Sequence, residues 1–115
     1  MNPYLTPERH PRVKIKISLS VLKEIDFLLD TGFSGGVSLP ERLKPRERPI
    51  GYQEYELADG SRVVFDLFEV KANYQGIPKT VTAIFSKSED ALVGIEFLEG
   101  LILTLNLKKF TISLK

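Results

Sequence analysis

Phe27-Leu28-Leu29-Asp30-Thr31-Gly32-Phe33-Ser34 is the stretch on which the reading of this chain turns. An ionisable residue stands directly after an apolar run and just before a phenylalanine. Burying a carboxylate in such surroundings is expensive unless it is hydrogen-bonded or shares a proton. The residues that follow show how that cost is met. Thr31 and Ser34 offer hydroxyls, and Gly32 lets the backbone turn tightly and bring its amide up to the carboxylate. Taken alone, the same three residues also suit an ordinary turn in which an aspartate caps a strand end.

Upstream, Val13, Ile15, Ile17 and Leu19 alternate with Lys14, Lys16 and Ser18, the period of a strand with one face buried. A second strand is predicted over residues 23–29, with Ile25, Phe27 and Leu29 on one face. Its end is apolar on both faces and carries the chain into the core. Downstream, Gly32, Gly35 and Gly36 break regular structure, and Val37-Ser38-Leu39 is a short strand stopped by Pro40. Residues 41–49 are charged, contain Pro45 and Pro49, and leave room for one helical turn at most. Strand-like runs at 52–57 and 62–74 flank Ala58-Asp59-Gly60-Ser61, and Asp-Gly between such runs is a strong hairpin signal. A turn at Gln75-Gly76-Ile77-Pro78 leads to a strand over 79–85. Beyond a polar loop at 86–90 come Ala91-Leu92-Val93-Gly94, a short helix over 95–99 closed by Gly100, and two last strands over 101–107 and 110–114. Pro3, Pro7 and Pro11 among polar residues make 1–12 read as an irregular arm, with one domain over 13–115. Many short strands, Gly and Pro turns and hardly any helix predict an all-β fold, a barrel or a sandwich.

Composition narrows the function. The chain has 115 residues, enough for one core, and its hydrophobic share of 43% is that of a globular domain. A formal net charge of +1 argues against general attraction to nucleic acid or anionic lipid. Glutamates interleave with the basic residues around Arg42, Lys44, Arg46 and Arg48, so that segment reads as a solvated face, as do Arg9, Arg12, Lys14 and Lys16. With no cysteine there is neither disulfide nor thiolate metal site, which fits a reducing cytoplasm. The single histidine, His10, reads as a solvated arm residue and leaves no multi-histidine zinc site. No apolar run is long enough to span a bilayer and no secretory signal is visible. The expectation is therefore a cytoplasmic protein without metal, cofactor, nucleic-acid or membrane partner. Tyr52, Tyr55 and Tyr74 read as strand-face packing.

The stretch around Asp30-Thr31-Gly32 resembles the active-site motif of the aspartic proteases: apolar residues, Asp-Thr-Gly, a small or aromatic residue, then Ser. Ala91-Leu92-Val93-Gly94 resembles the element that crosses behind the catalytic loop in that family, and Gly94 lies 64 positions after Asp30, a separation suited to single-lobed, retropepsin-like members. The likeness extends over about 13–114. It implies a closed, mostly antiparallel acid-protease barrel with one short helix. Because the chain holds one Asp-Thr-Gly and no second copy, it also implies a two-fold homodimer that joins Asp30 of two subunits. By resemblance, Asp30 is the catalytic acid/base of an endopeptidase, in a pair of carboxyls that shares one proton. Thr31 would hydrogen-bond across the dimer axis, and Gly32 and Ser34 would support the loop. Ala58, Asp59 and Gly60 would tip a flap over an extended peptide or protein substrate, and Leu92, Val93 and Gly94 would brace the loop from behind. Ser34 stands where many retroviral members have Asp, and Ile95 where they have Arg; both changes resemble cellular and prokaryotic members. Two other functions remain compatible with the residues: a non-catalytic dimerisation or peptide-binding module on the same scaffold, and a small barrel of oligonucleotide-binding type, which would leave Asp30-Thr31-Gly32 unexplained.

Overall fold

The computed structural model describes residues 3–115. In chain order its strands are β1 (Tyr4–Leu5), β2 (Pro11–Ser18), β3 (Leu22–Leu29), β4 (Val37–Pro40), β5 (Gly51–Glu56), β6 (Arg62–Tyr74), β7 (Ile77–Ser86), β8 (Ala91–Val93), β9 (Leu103–Asn106) and β10 (Thr111–Leu114). A 3-10 turn at Glu41–Leu43 and one short helix, α1 (Ile95–Leu98), complete the described elements.

The alternation in β2 decides which way it faces: Val13, Ile15 and Ile17 are fully buried, while Lys14, Lys16 and Ser18 are exposed. Phe27 and Leu29 of β3 join the same core, together with Val37 and Leu39, Val93 and Phe97. Hydrogen bonding runs through the order β2-β3-β8-β4-β7-β6, and a further β2–β6 pairing closes the ring into a six-stranded barrel. The pairings β3–β8 and β4–β7 are parallel and the rest of the ring is antiparallel. The all-β, mostly antiparallel barrel with one short helix is therefore the fold observed.

β6 serves two layers. Its first half pairs with β5 as far as Leu67 opposite Gly51; from Phe68 onward it pairs with β7. The β5–β6 hairpin thus projects from the barrel at the point where the long strand changes partner. The turn of the following hairpin is shorter than expected from sequence. Only Gln75 and Gly76 turn, both at positive φ, and Pro78 lies within β7 opposite Asn73. A proline is tolerated there because, among the described residues, that end of β7 pairs with no strand on its other side.

The N-terminal segment is more ordered than its prolines suggest. β1 pairs with Arg12 and Pro11, and β2 begins at Pro11 rather than Val13. The Thr6 amide donates to the His10 carbonyl at 3.0 Å and closes the loop between the strands. Asp26 ties the hairpin down: it accepts from the Tyr4 hydroxyl and from Arg12 Nε at 3.1 Å, and the Arg12 guanidinium also reaches the Asp26 carbonyl. That carboxylate pushes the Tyr4 phenol above its ordinary value. His10 is exposed. Residues 1–2 of the expected arm lie outside the described residues. In the 41–48 segment, Arg42 pairs with Glu89 at 3.3 Å and Lys44 with Asp66 at 3.7 Å, both on the surface. Among the described residues no helix is long and apolar enough to cross a membrane.

At the C-terminus, β9 and β10 form a separate two-stranded sheet. Leu103 opposite Leu114 and Leu105 opposite Ile112 give it one apolar face, while Thr104, Ser113, Asn106 and Thr111 form the other. Leu114 is buried against the barrel, but Leu105, Leu107 and Phe110 are 44%, 55% and 46% exposed, so the apolar face continues past the core that covers its first half. Tyr74, at the end of β6, fastens this sheet: its buried hydroxyl donates to the Leu114 carbonyl at 2.9 Å, and its ring meets Phe97 edge-on at 6.3 Å.

Replacing Tyr74 by Phe is expected to lower stability by about 1–2 kcal/mol, because it orphans a buried carbonyl without opening a cavity. A lower urea midpoint with an unchanged slope is the readout. Burial holds the Tyr74 phenol above its ordinary 10.0, so the folded state keeps its proton longer than the unfolded state does. The contribution is intact below pH 10.0 and is lost as pH rises through the higher folded value; Tyr74→Phe flattens that alkaline decline.

Candidate active site

Asp30 leaves the end of β3 as the first residue of a loop stitched to the chain around Gly94. The Asp30 amide donates to the Val93 carbonyl at 2.9 Å, Gly94 to Gly36 at 2.9 Å, Ile95 to Phe33 at 2.9 Å and Glu96 to Gly35 at 3.2 Å. Leu92 and Val93, in β8, lie parallel to Leu28 and Leu29 and antiparallel to Ser38 and Val37. Leu92, Val93 and Gly94 therefore run alongside the loop, hydrogen-bonded to it at Val93 and Gly94. Two glycines permit the approach. A Cβ on Gly94 would run into the carbonyl oxygens of Phe33 and Gly35, and one on Gly36 into the Thr82 carbonyl and the Glu96 carboxylate. The helix after Gly94 ends at Leu98, with Lys79 Nζ bonded to the carbonyls of Phe97 and Glu99 at 2.6 Å.

The Asp30 carboxylate accepts the Gly32 amide at 2.9 Å, so the glycine acts as its residue type suggested. The hydroxyls do not: Thr31 and Ser34 are exposed and neither bonds the carboxylate. Nor is Asp30 buried as expected. In the single chain it is half-exposed and opens onto a cleft of about 620 Å³. Phe33, Ser38, Ile84 and Leu92 wall that cleft, and Tyr55, Leu57, Ala58 and Phe65 of the β5–β6 hairpin face it from above.

Ala58, Asp59 and Gly60 form the hairpin tip, clear of the barrel. The Gly60 amide donates to the Leu57 carbonyl at 2.9 Å, and Gly60 takes φ +86° with open space around it. Asp59 accepts from the Ser61 hydroxyl at 2.5 Å and its amide at 2.9 Å, bonds that hold its carboxyl below the usual range. Tyr55 pairs with Val63 near the tip end of the hairpin, and its ring lies between Phe33 at 5.7 Å and Phe65 at 6.0 Å, which holds the outer part of the hairpin against the loop that carries Asp30. Burial pushes the Tyr55 phenol up, and the Glu96 carboxylate adds to the shift.

Three side chains at this site escaped the sequence reading. Glu96 accepts from the amide and the hydroxyl of Thr82, both at 2.8 Å, and so ties the loop-bracing segment to β7. It directly follows Ile95, one of the two positions that depart from the retroviral pattern, and only that place in the chain could have flagged it. From the sequence, Tyr55 is expected in strand-face packing like Tyr52 and Tyr74. Tyr74 is core, Tyr52 is 76% exposed, and Tyr55 lines the cleft. Ser38 was read only as a strand residue. Among the described residues no group of three or more His, Asp or Glu side chains is arranged to hold a metal ion.

Gly94→Ala is expected to destabilise the fold by about 1–3 kcal/mol, since neither carbonyl can retreat without breaking the stitch. Glu96→Ala should lower the thermal midpoint too, while Glu96→Gln retains part of the Thr82 pairing. Thermal melting of the three variants beside the parent checks both.

No protein-family model matches the chain, and no curated protein matches it in sequence. Solved structures do. The solution structure of the simian foamy virus (mac) protease aligns with a TM-score of 0.58 at 17% identity, over 76% of this chain and 90% of that one. The foamy viral protease-reverse transcriptase, solved in complex with an RNA/DNA hybrid, aligns with a TM-score of 0.58 at 17% identity over 84% of this chain and 13% of that longer one. At that identity the likeness is one of backbone architecture. With the closed six-stranded barrel, the loop at Asp30 and the β8 segment bonded alongside it, the chain has the retropepsin-like aspartic-protease fold.

Proposed function

We propose that this chain is an aspartic endopeptidase that works as a homodimer, with Asp30 of each subunit at a shared site. The observation that carries the reading is Asp30 itself: a carboxylate held by the Gly32 amide at 2.9 Å, at the edge of a cleft roofed by a hairpin. One carboxylate is half of the required machinery. With the partner's Asp30 beside it, one carboxyl is ionised and the other protonated, since two close like charges resist ionising together. The ionised group takes a proton from a water molecule as its oxygen attacks the scissile carbonyl carbon, and the protonated group gives its proton to the carbonyl oxygen. Collapse of the resulting diol breaks the C–N bond, and the leaving amine takes up the proton. The substrate lies extended under the hairpin, bonded through its main chain. Thr31, exposed beside Asp30, is free to reach across the axis, and the self-contained tip at Ala58, Asp59 and Gly60 suits a flap that opens for entry.

The dimer reading has support in the C-terminal sheet. Leu105, Leu107 and Phe110 extend an apolar face beyond the core that covers its first half, and a second copy of the chain is the occupant that also completes the site. Leu105→Asp, or Phe110→Asp, is expected to shift sedimentation from dimer to monomer and to abolish cleavage together.

Cleavage of an unfolded protein substrate tests the chemistry. Asp30→Asn should remove activity while fold and sedimentation stay those of the parent, because asparagine matches aspartate in shape but cannot ionise. If the variant cuts as fast as the parent, Asp30 is not the catalytic group. A parent that binds extended peptides without cutting them identifies the non-catalytic peptide-binding module instead.

A further inference from the structure

We propose that Ser38 makes the cleft selective for a peptide carrying an uncharged hydrogen-bonding side chain (Asn, Gln, Ser or Thr) close to the scissile bond; this deepens the protease reading above and rests on it. β4 sends Val37 and Leu39 into the core and turns Ser38 the other way, onto the cleft. Ser38 is only 4% exposed as a residue, and no hydrogen bond to another side chain or to the main chain engages its hydroxyl; since no buried side-chain polar atom among the described residues lacks a partner, that hydroxyl reaches the solvent of the cleft. It sits in register with Ile84 of β7 and Leu92 of β8, and these three residues line the same cleft as Asp30. Leu92 in turn lies beside Leu28, two positions before Asp30. The hydroxyl is therefore a polar group set between the aliphatic side chains of Ile84 and Leu92, with Ser86 further along β7, in the cleft that Asp30 also lines.

A hydroxyl donates one hydrogen bond and accepts others, so in the empty cleft it is met by water. A bound peptide displaces that water. An apolar side chain then leaves the hydroxyl unpaired, and a site built around such a group discriminates against ligands that cannot pair with it. Charged side chains fare no better. The charged residues lining the cleft, Asp30, Glu54 and Glu56, are all acidic, which disfavours Asp and Glu. A Lys or Arg head, although drawn into the cleft by those acids, would have to shed its water between Ile84 and Leu92 to reach Ser38, which offers it no charge to pair with. A neutral amide or hydroxyl meets both the donor and the acceptor, while its carbon atoms pack on the two aliphatic walls.

The test is to digest a mixed peptide library with the parent, Ser38→Thr and Ser38→Val. Threonine and valine have the same shape and differ in the hydroxyl. The parent and Ser38→Thr are expected to enrich Asn, Gln, Ser or Thr at one position near the cut. Ser38→Val is expected to lose that enrichment, with kcat/KM falling about tenfold on an Asn peptide relative to its Leu counterpart. Ser38→Ala, read the same way, replaces Ser38→Val if valine impairs folding. An apolar preference at every position in the parent, or one profile shared by all variants, overturns the proposal. If the parent cuts nothing, the protease reading fails separately. Arrays of extended peptides then decide the subsite: retention of Asn and Gln peptides that Ser38→Val abolishes upholds it, and retention indifferent to Ser38 overturns it.

Discussion

The site hangs on the backbone stitch between the loop that begins at Asp30 and the segment from Val93 to Glu96. Amides of residues that enter a short helix find carbonyls in a neighbouring loop, so the helix start and the loop satisfy each other. Main-chain groups can approach in this way only where no Cβ intervenes, and Gly36 and Gly94 stand at the two close contacts. β8 lies between β3 and β4, so the strand that braces the loop also links the two sides of the barrel. The carboxylate of Asp30 is thus presented by an element that cannot shift without opening the ring.

Around that rigid floor the rest is less constrained. The β5–β6 hairpin leaves the barrel where β6 changes partner, and its tip is bonded only to itself. Phe33, Tyr55 and Phe65 hold its outer part to the loop. A hairpin held over the loop by one aromatic cluster, with a tip bonded within itself, suits a lid, because few contacts have to break when it moves. The C-terminal sheet is held on one side by Tyr74 and extends an apolar face on the other. Asp30 lies half-exposed, with Thr31 open to solvent beside it. Each of these features fits the proposed homodimer, in which a second copy of the chain would complete the cleft.

Much of this was legible from residue order. Alternation in β2 gave its buried face, because side chains on a strand point to opposite sides whatever the strand later pairs with. Asp59-Gly60 marked the hairpin tip through local turn chemistry, and Gly32 announced the amide that approaches Asp30. The N-terminal segment was misjudged. Pro3, Pro7 and Pro11 suggested irregular chain, but the Tyr4, Arg12 and Asp26 contact that orders it spans a strand pairing no local pattern reveals. The turn around Pro78 was placed too wide for a related reason. Whether a proline disrupts a strand depends on the neighbour at that point, and only the assembled sheet supplies it.

By itself, the sequence determined the all-β class, the loop at Asp30, the element at Leu92, Val93 and Gly94, and the hairpin at Ala58, Asp59 and Gly60, since each rests on local periodicity, turn chemistry or a contiguous motif. Tertiary structure alone decided that Glu96 grips Thr82, that Tyr55 rather than Tyr52 lines the cleft, that the Asp30 carboxylate stays half-exposed in one chain, and that the Ser38 hydroxyl faces the cleft. These depend on which strands become neighbours and in what register. Such pairings join residues tens of positions apart, and the free energy that selects them belongs to the closed barrel as a whole rather than to any segment of it.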